Sequence, residues 1–269
     1  MIKNILSKNQ IVQYDICGKG LPVVLIHGFA EDHTIWNHQI SFLEKKHLVI
    51  SIDIPGSGGS ECLMNNEANL SDFTIAIKDV LLKENITACV MLGHSMGGYI
   101  TLAYQKKYQS DLLGIGLIHS TAFIDTEERK AIRKKSISFI EENGSLAFLK
   151  TSLPGLFFES DKHKENLDEI LKFAGTDSNQ VLIQYYRAIM KRPLSTEILT
   201  QLKIPLLMIA GKHDQVIPLN DLLYQSHVSN VTYFHIMTAS AHMGMIEEPN
   251  RVNNIIDDFV DNITKITSK

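Results

Sequence analysis

Cysteine is scarce and poorly placed for cross-linking: the 269 residues carry three, Cys17, Cys62 and Cys89. An odd number at wide spacing argues against a disulfide framework and against the paired ligands of a zinc site. Cys89, inside an apolar run, reads as a small core residue. Charge of one sign is lacking too. Lys and Arg number 26 against 30 Asp and Glu, a formal charge of −4, which offers no electrostatic attraction for nucleic acid or an anionic membrane. No apolar run reaches the roughly 18 residues that a membrane helix requires. Residues 1–6 hold one lysine, no long apolar region and no small-residue cleavage site, so no signal peptide is expected. These absences point to a cytoplasmic, soluble protein. They name no protein partner.

With 44% hydrophobic residues, the chain suits one large domain, or a domain with an insertion. Residues 11–16 alternate as an edge strand, and residues 22–26 form a continuous apolar strand of the kind a sheet covered on both faces requires. Trp36, Ile40 and Leu43 space as a helical stripe, and residues 48–52 form the next strand. Ser71 opens a helix carrying Phe73, Ile77, Val80 and Leu81. Buried strands follow at 86–92 and 112–119, with a helix between them that should bury one face through Tyr99, Leu102, Ala103 and Tyr104. From 123 to 194 only helical patterns occur, beginning with an Asp125/Glu128 capping pair and a helix running to Asn143-Gly144. Alternation resumes with strands at 204–210 and 231–236 and ends in a helix burying Val252, Ile255, Ile256, Phe259 and Val260. The expected organisation is a discontinuous core, 1–121 and 195–269, with a helical cap at 122–194.

Gly93-His94-Ser95-Met96-Gly97 lies between a strand and a helix. A serine on so sharp a turn needs neighbours without side chains, and the turn pushes its Oγ out above the sheet edge. The same geometry leaves the Met96 amide at a helix N-terminus, able to donate to a developing oxyanion. His27-Gly28-Phe29, at the end of an earlier strand, is either an ordinary strand-end turn or the source of a second donor, the Phe29 N–H. The glycine-rich loop 53–60 has neither a P-loop lysine nor the G-x-G-x-x-G spacing, so nucleotide binding is not indicated.

Serine is a poor nucleophile unless an imidazole takes its proton, and a carboxylate must hold that imidazole in the right tautomer. Of eleven histidines, His242 falls in the loop after the last strand, where a parallel sheet presents functional groups. Asp214 directly follows the strand at 204–210. Ser95, Asp214 and His242 run in the order nucleophile, acid, base.

His27-Gly28, Asp53-x-Pro55-Gly56-x-Gly58-x-Ser60, Gly93-His94-Ser95-Met96-Gly97-Gly98, Gly211-x-x-Asp214-x-Val216-x-Pro218 and His242-Met243 together resemble the α/β-hydrolase fold superfamily over essentially the whole chain. The resemblance implies an α/β fold, a mostly parallel sheet flanked by helices with an inserted helical cap. It also implies a Ser95-Asp214-His242 triad, an oxyanion hole of the Phe29 and Met96 amides, and no cofactor or metal. Epoxide hydrolases and haloalkane dehalogenases of this group use an aspartate nucleophile, where this chain has Ser95. Epoxide hydrolases and haloperoxidases usually carry proline where Ala30 stands, and C–C hydrolases commonly carry Asn where His94 stands. The remaining match is a serine carboxylesterase-like hydrolase acting on a small soluble ester or related acyl substrate.

Two alternatives stay open. One is a C–C bond hydrolase of meta-cleavage type, for which Arg187, Lys191 and Arg192 could bind a carboxylate. The other is a hydrolase-fold small-molecule sensor. The segment 123–194 is rich in aromatics, including Phe139, Phe148, Phe157, Phe158, Phe173, Tyr185 and Tyr186. Most are expected in the segment's own core. Phe123, Phe139, Phe157, Phe158, Tyr186 and Met243 are the candidates for an apolar substrate pocket.

Overall fold

Eight strands form one sheet in the computed structural model, which describes residues 1–174 and 179–267. They are β1 (Ile2–Ser7), β2 (Gln10–Gly18), β3 (Pro22–Ile26), β4 (Leu48–Ile52), β5 (Cys89–His94), β6 (Leu112–Ile118), β7 (Leu206–Gly211) and β8 (Thr232–Met237). The sheet order is β1-β2-β4-β3-β5-β6-β7-β8. Strands from β4 to β8 run parallel, while β2 is antiparallel to both β1 and β4. The chain leaves β3 toward β4 on one side and later returns to place β5 on the other. That reversal opens a crevice beyond the carboxyl ends of the strands, where parallel sheets collect their ligands. β3, β5 and β7 are buried almost throughout, which is why they read as unbroken apolar runs.

The helices before β6 are α1 (Asn37–Leu43), α2 (Leu70–Lys83) and α3 (Met96–Tyr108). Between β6 and β7 the described residues hold α4 (Glu127–Asn143), α5 (Ser145–Ser152), α6 (Lys164–Ala174), α7 (Asn179–Met190) and α8 (Thr196–Thr200), with short 3-10 turns and no strand. α9 (Leu219–Gln225), α10 (Gly244–Glu247) and α11 (Pro249–Thr267) complete the chain. α1 packs on α11, and α2 on α3, and these pairs cover the sheet.

Several local details differ from the sequence reading. The strand at 11–16 is not the edge, because β1 pairs outside it through a two-residue turn at Lys8 and Asn9, both with positive φ. That is the hairpin geometry whose twist matches the flanking strands. β1 is hard to see in the sequence because its outer face is wet: Ile2 and Leu6 are 58% and 73% exposed. α2 is capped by Asn69 rather than Ser71, in a capping box with Asp72. α3 is enclosed and buries residues on more than one face, including Met96, Ile100, Thr101 and Gln105. At α4 the cap is Thr126, whose side chain accepts from the Arg129 amide. Asp125 instead turns inward, where it is fully buried against Arg133 and Arg192.

Candidate active site

Ser95 sits between β5 and α3 with φ 48° and ψ −114°, a conformation held only when the surroundings over-determine it. Its amide donates to the Ile118 carbonyl at 3.0 Å, and its own carbonyl accepts from Ser120 Oγ at 2.7 Å. The glycines make the turn possible. A Cβ at Gly93 would overlap the Gly97 backbone, one at Gly97 the Ile26 carbonyl, and one at Gly98 the Ser120 hydroxyl.

Asp214 follows β7. One carboxylate oxygen accepts from the Val216 and Ile217 amides at 2.8 and 2.9 Å, and the other lies 2.8 Å from His242 Nδ1. Burial alone would raise the Asp214 pKa. The facing His242 and His119 rings outweigh it and hold the carboxyl far below the usual range. For His242, burial works against the charged ring, but Asp214, Glu31 and Glu247 outweigh it, so its pKa lies above the ordinary 6.5.

Two further groups brace the loops around this pair and a third packs beside it without a hydrogen bond, and sequence reasoning missed all three. Glu247 in α10 accepts from the Phe158 amide at 2.6 Å and from the Ala241 and Met243 amides at 2.9 and 3.2 Å, fixing the loop on both sides of His242. Glu31 accepts from the Gly28 amide at 2.6 Å and lies 2.9 Å from His94 Nδ1, while His94 Nε2 meets the His242 carbonyl at 3.0 Å. His119, at the end of β6, lies 3.7 Å from Asp214, and burial pushes its pKa down to about 4, so it stays neutral. The available signal was position: His119 directly follows a strand, and Glu31 and Glu247 lie within five residues of the two recognised loops. His27 braces its own loop, with Nε2 accepting from the Ile54 amide at 3.0 Å and Nδ1 beside the Gly28 carbonyl at 2.9 Å.

Ser95 and His242 open into one cavity of about 390 Å³, within the range of small-molecule sites. Its walls come from Phe29, Tyr99, Phe148, Leu153 and Tyr186, with Arg133 from α4. Phe29 stacks on Tyr186 with ring centroids 4.4 Å apart. A serine on a strained turn, an imidazole paired with a buried carboxylate, and a mostly apolar chamber beside them are the groups that acyl transfer calls for.

A family model described as "Serine aminopeptidase, S33" matches residues 21–249. The chain belongs to this family. It is 29% identical to 3-oxoadipate enol-lactonase 1 of Acinetobacter baylyi over 98% of this chain and 97% of that one. It is 24% identical to the pimeloyl-[acyl-carrier protein] methyl ester esterase of Legionella pneumophila, over 93% and 99%. Among solved structures, a thermophilic esterase from Thermogutta terrifontis superposes with a TM-score of 0.91, at 24% identity over 98% of this chain and 99% of that one. The enol-lactonase from Burkholderia xenovorans gives 0.88 at 20% identity, over 96% and 100%. The fold is that of the α/β-hydrolases.

Of the pocket residues expected from the sequence of this serine aminopeptidase family member, Tyr186 lines the Ser95 cavity and the other five do not. Phe123 packs toward Tyr224, and Phe139 lies outside Phe148, 38% exposed. Phe157 stacks on His163 and Phe158 on His213, around a separate shallow hollow. Met243 is fully buried at the start of α10. Aromatic character gives burial, but the wall of a cavity is set by how each helix is rotated, and α4 turns Arg133 and Ser136 toward the cavity instead, with Ile132 bordering it while 62% exposed. The side chain of Phe173 lies outside the described residues. Arg187 and Lys191 face Glu67 on the surface, and Arg192 is buried against Asp125, so none of these three cations reaches the cavity.

One grouping among the described residues could hold a metal, namely His47, Asp257 and Asp261, with ligand atoms within 4.8 Å. Lys46 Nζ already serves it as a cation, 2.6 Å from Asp257 and 3.9 Å from Asp261.

Proposed function

We propose that this chain is a serine hydrolase that cleaves a carboxylic ester, or a related acyl bond, of a small substrate through an acyl-Ser95 intermediate. The observation that carries the reading is the 2.8 Å contact of His242 Nδ1 with a buried, doubly anchored Asp214, with Ser95 and His242 on the same cavity. Ser95 Oγ attacks the carbonyl carbon as His242 Nε2 takes its proton. The oxyanion accepts from the Phe29 and Met96 amides, and Glu31 steadies the first by anchoring Gly28 beside it. The intermediate then collapses, and the leaving alkoxide takes the proton from His242. Water, activated by the same ring, adds to the acyl-enzyme and frees the carboxylate product and Ser95. Residues 122–194 act as a helical cap over the site. By their names, the enol-lactonase and the methyl ester esterase relatives act on a lactone and an ester, in line with this chemistry. The net charge and the three free cysteines favour a cytoplasmic enzyme that meets small molecules rather than nucleic acid or membrane. A C–C hydrolase gains no support from Arg187, Lys191 or Arg192, which stand outside the cavity.

A fluorophosphonate probe and an ester panel test the reading. The probe labels Ser95 and no other serine, and the chain turns over soluble short-to-medium acyl esters with higher kcat/KM than emulsified long-chain lipid, as a cavity of about 390 Å³ requires. Absence of label together with absence of turnover on esters and lactones sinks the proposal. Label with a single very slow release of product would mark a sensor.

The acid limb of the rate profile follows from His242. The ring must be neutral to accept the Ser95 proton, and its pKa is held above 6.5, so kcat/KM rises with pH through an apparent pKa above that value. An acid limb centred below 6.5 would show that the Asp214 contact does not set the ring's charge.

A further inference from the structure

We infer that the Ser95 cavity is built for an acyl group bearing a second, free carboxylate, and that Arg133 binds it; the inference rests on the serine-hydrolase reading above. The cavity wall is mostly apolar, and Arg133 is its one lysine or arginine among the described residues. Its one carboxylate, Glu31, is committed to the Gly28 amide and His94 beside Ser95. The negative group therefore stands at the reacting end and the positive group on α4. An anionic substrate is oriented by that polarity, with its carboxylate drawn away from Glu31.

The bonding of Arg133 leaves it a free edge. A guanidinium offers five N–H donors in a planar fork, and a carboxylate can occupy one edge while another remains open. Asp125 takes the Nε/Nη2 edge, at 2.6 and 3.2 Å. Among the described residues Nη1 meets no acceptor, so the Nη1/Nη2 edge is left for a ligand. The charge count agrees. Asp125 also accepts from Arg192 Nη2 at 2.9 Å, so a single carboxylate serves two guanidiniums. Arg192 spends its other nitrogens on the Phe123 and Ile189 carbonyls, at 3.1 and 3.0 Å. The positive charge that Asp125 leaves unbalanced therefore has its unspent donors on Arg133. The Tyr186 ring, 5.5 Å from the guanidinium carbon, holds it in place. Ser136, one turn along α4, adds a hydroxyl to the same wall. Within an apolar chamber, a charge-assisted fork of this kind is stronger than it would be in water.

The test compares, on the wild-type enzyme, monomethyl esters of linear dicarboxylic acids from succinic to suberic with methyl esters of monocarboxylic acids of equal length. The pH is set above the His242 range, where the second carboxyl is ionised. At the best length the acid-bearing ester is expected to exceed its neutral match in kcat/KM by about 100-fold. Free dicarboxylate should inhibit more tightly than the matching monocarboxylate. In Arg133→Met the ratio of acid-bearing to neutral ester should collapse toward one. That variant leaves Asp125 short of a partner. If it does not fold, Arg133→Lys decides, since it keeps a cation on Asp125 but loses the free fork. A fall in the ratio of at least about threefold in that variant supports the inference, and an unchanged ratio overturns it. Equal kcat/KM for the two ester classes in the wild type, or a preference that survives in folded Arg133→Met, also overturns it while leaving serine hydrolysis intact. Failure to hydrolyse either class, with no labelling of Ser95, sinks the parent reading instead.

Discussion

Ser95→Ala lowers kcat for ester hydrolysis by about 10⁴- to 10⁶-fold, leaving only the residual catalysis of the oxyanion donors and substrate binding. Stability should change by no more than about 0.5 kcal/mol, as for substitutions that break no packing or cap. Ser95 caps α3 without a side-chain hydrogen bond, and alanine carries the same Cβ at φ 48°, so the strain of the turn is unaltered. Activity and melting temperature therefore separate. The measurement is single-turnover and steady-state kinetics on the best ester of the panel, beside thermal unfolding of both proteins. Retention of more than about a tenth of the wild-type rate would rule out an acyl-Ser95 route.

Asp214→Asn is expected to cost about 10⁴-fold in kcat. The carboxylate is oriented by the Val216 and Ile217 amides on one oxygen, which leaves the other for His242 Nδ1. In the amide variant the oxygen stays with those two donors and the NH₂ group turns to the imidazole. Nδ1 must then accept, so the proton moves to Nε2, the atom that should take the Ser95 proton. Loss of the anion also removes the largest influence holding the His242 pKa up, so the residual activity should rise through a lower apparent pKa than in the wild type. An activity loss below about tenfold, or an acid limb moved to higher pH, contradicts the assigned role.

The sheet and the loops that carry Ser95, Asp214 and His242 were legible because local patterns specify them. Short apolar runs end in Gly and Pro punctuation, and the strand ends of a parallel sheet share one edge. β1 was not legible, since its outer residues are exposed on the sheet's edge and its register depends on β2. Asp125 was misread as half of a cap because its place in the sequence suits a helix start. Its partners Arg133 and Arg192 come from α4 and from beyond α7, and only the folded chain brings them together. The same holds for the cavity wall. Phe29 and Tyr186 meet across more than 150 residues of chain, while Phe139 and Phe158, equally aromatic, face elsewhere.

The loop holding His242 is not supported by the core alone. The His242 amide donates to the Leu156 carbonyl at 2.9 Å, and Glu247 gathers the Phe158 amide with those of Ala241 and Met243. Backbone from the helical segment between β6 and β7 thus forms part of the mount for the histidine. The segment is consequently not an exchangeable module. A graft that brought in a relative's helices to change the pocket, but moved the chain at 156–158, would unseat the imidazole along with it. Redesign of this chain is constrained accordingly: the stretch 156–158 has to be kept together with the 241–247 loop, whatever becomes of the helices that line the chamber.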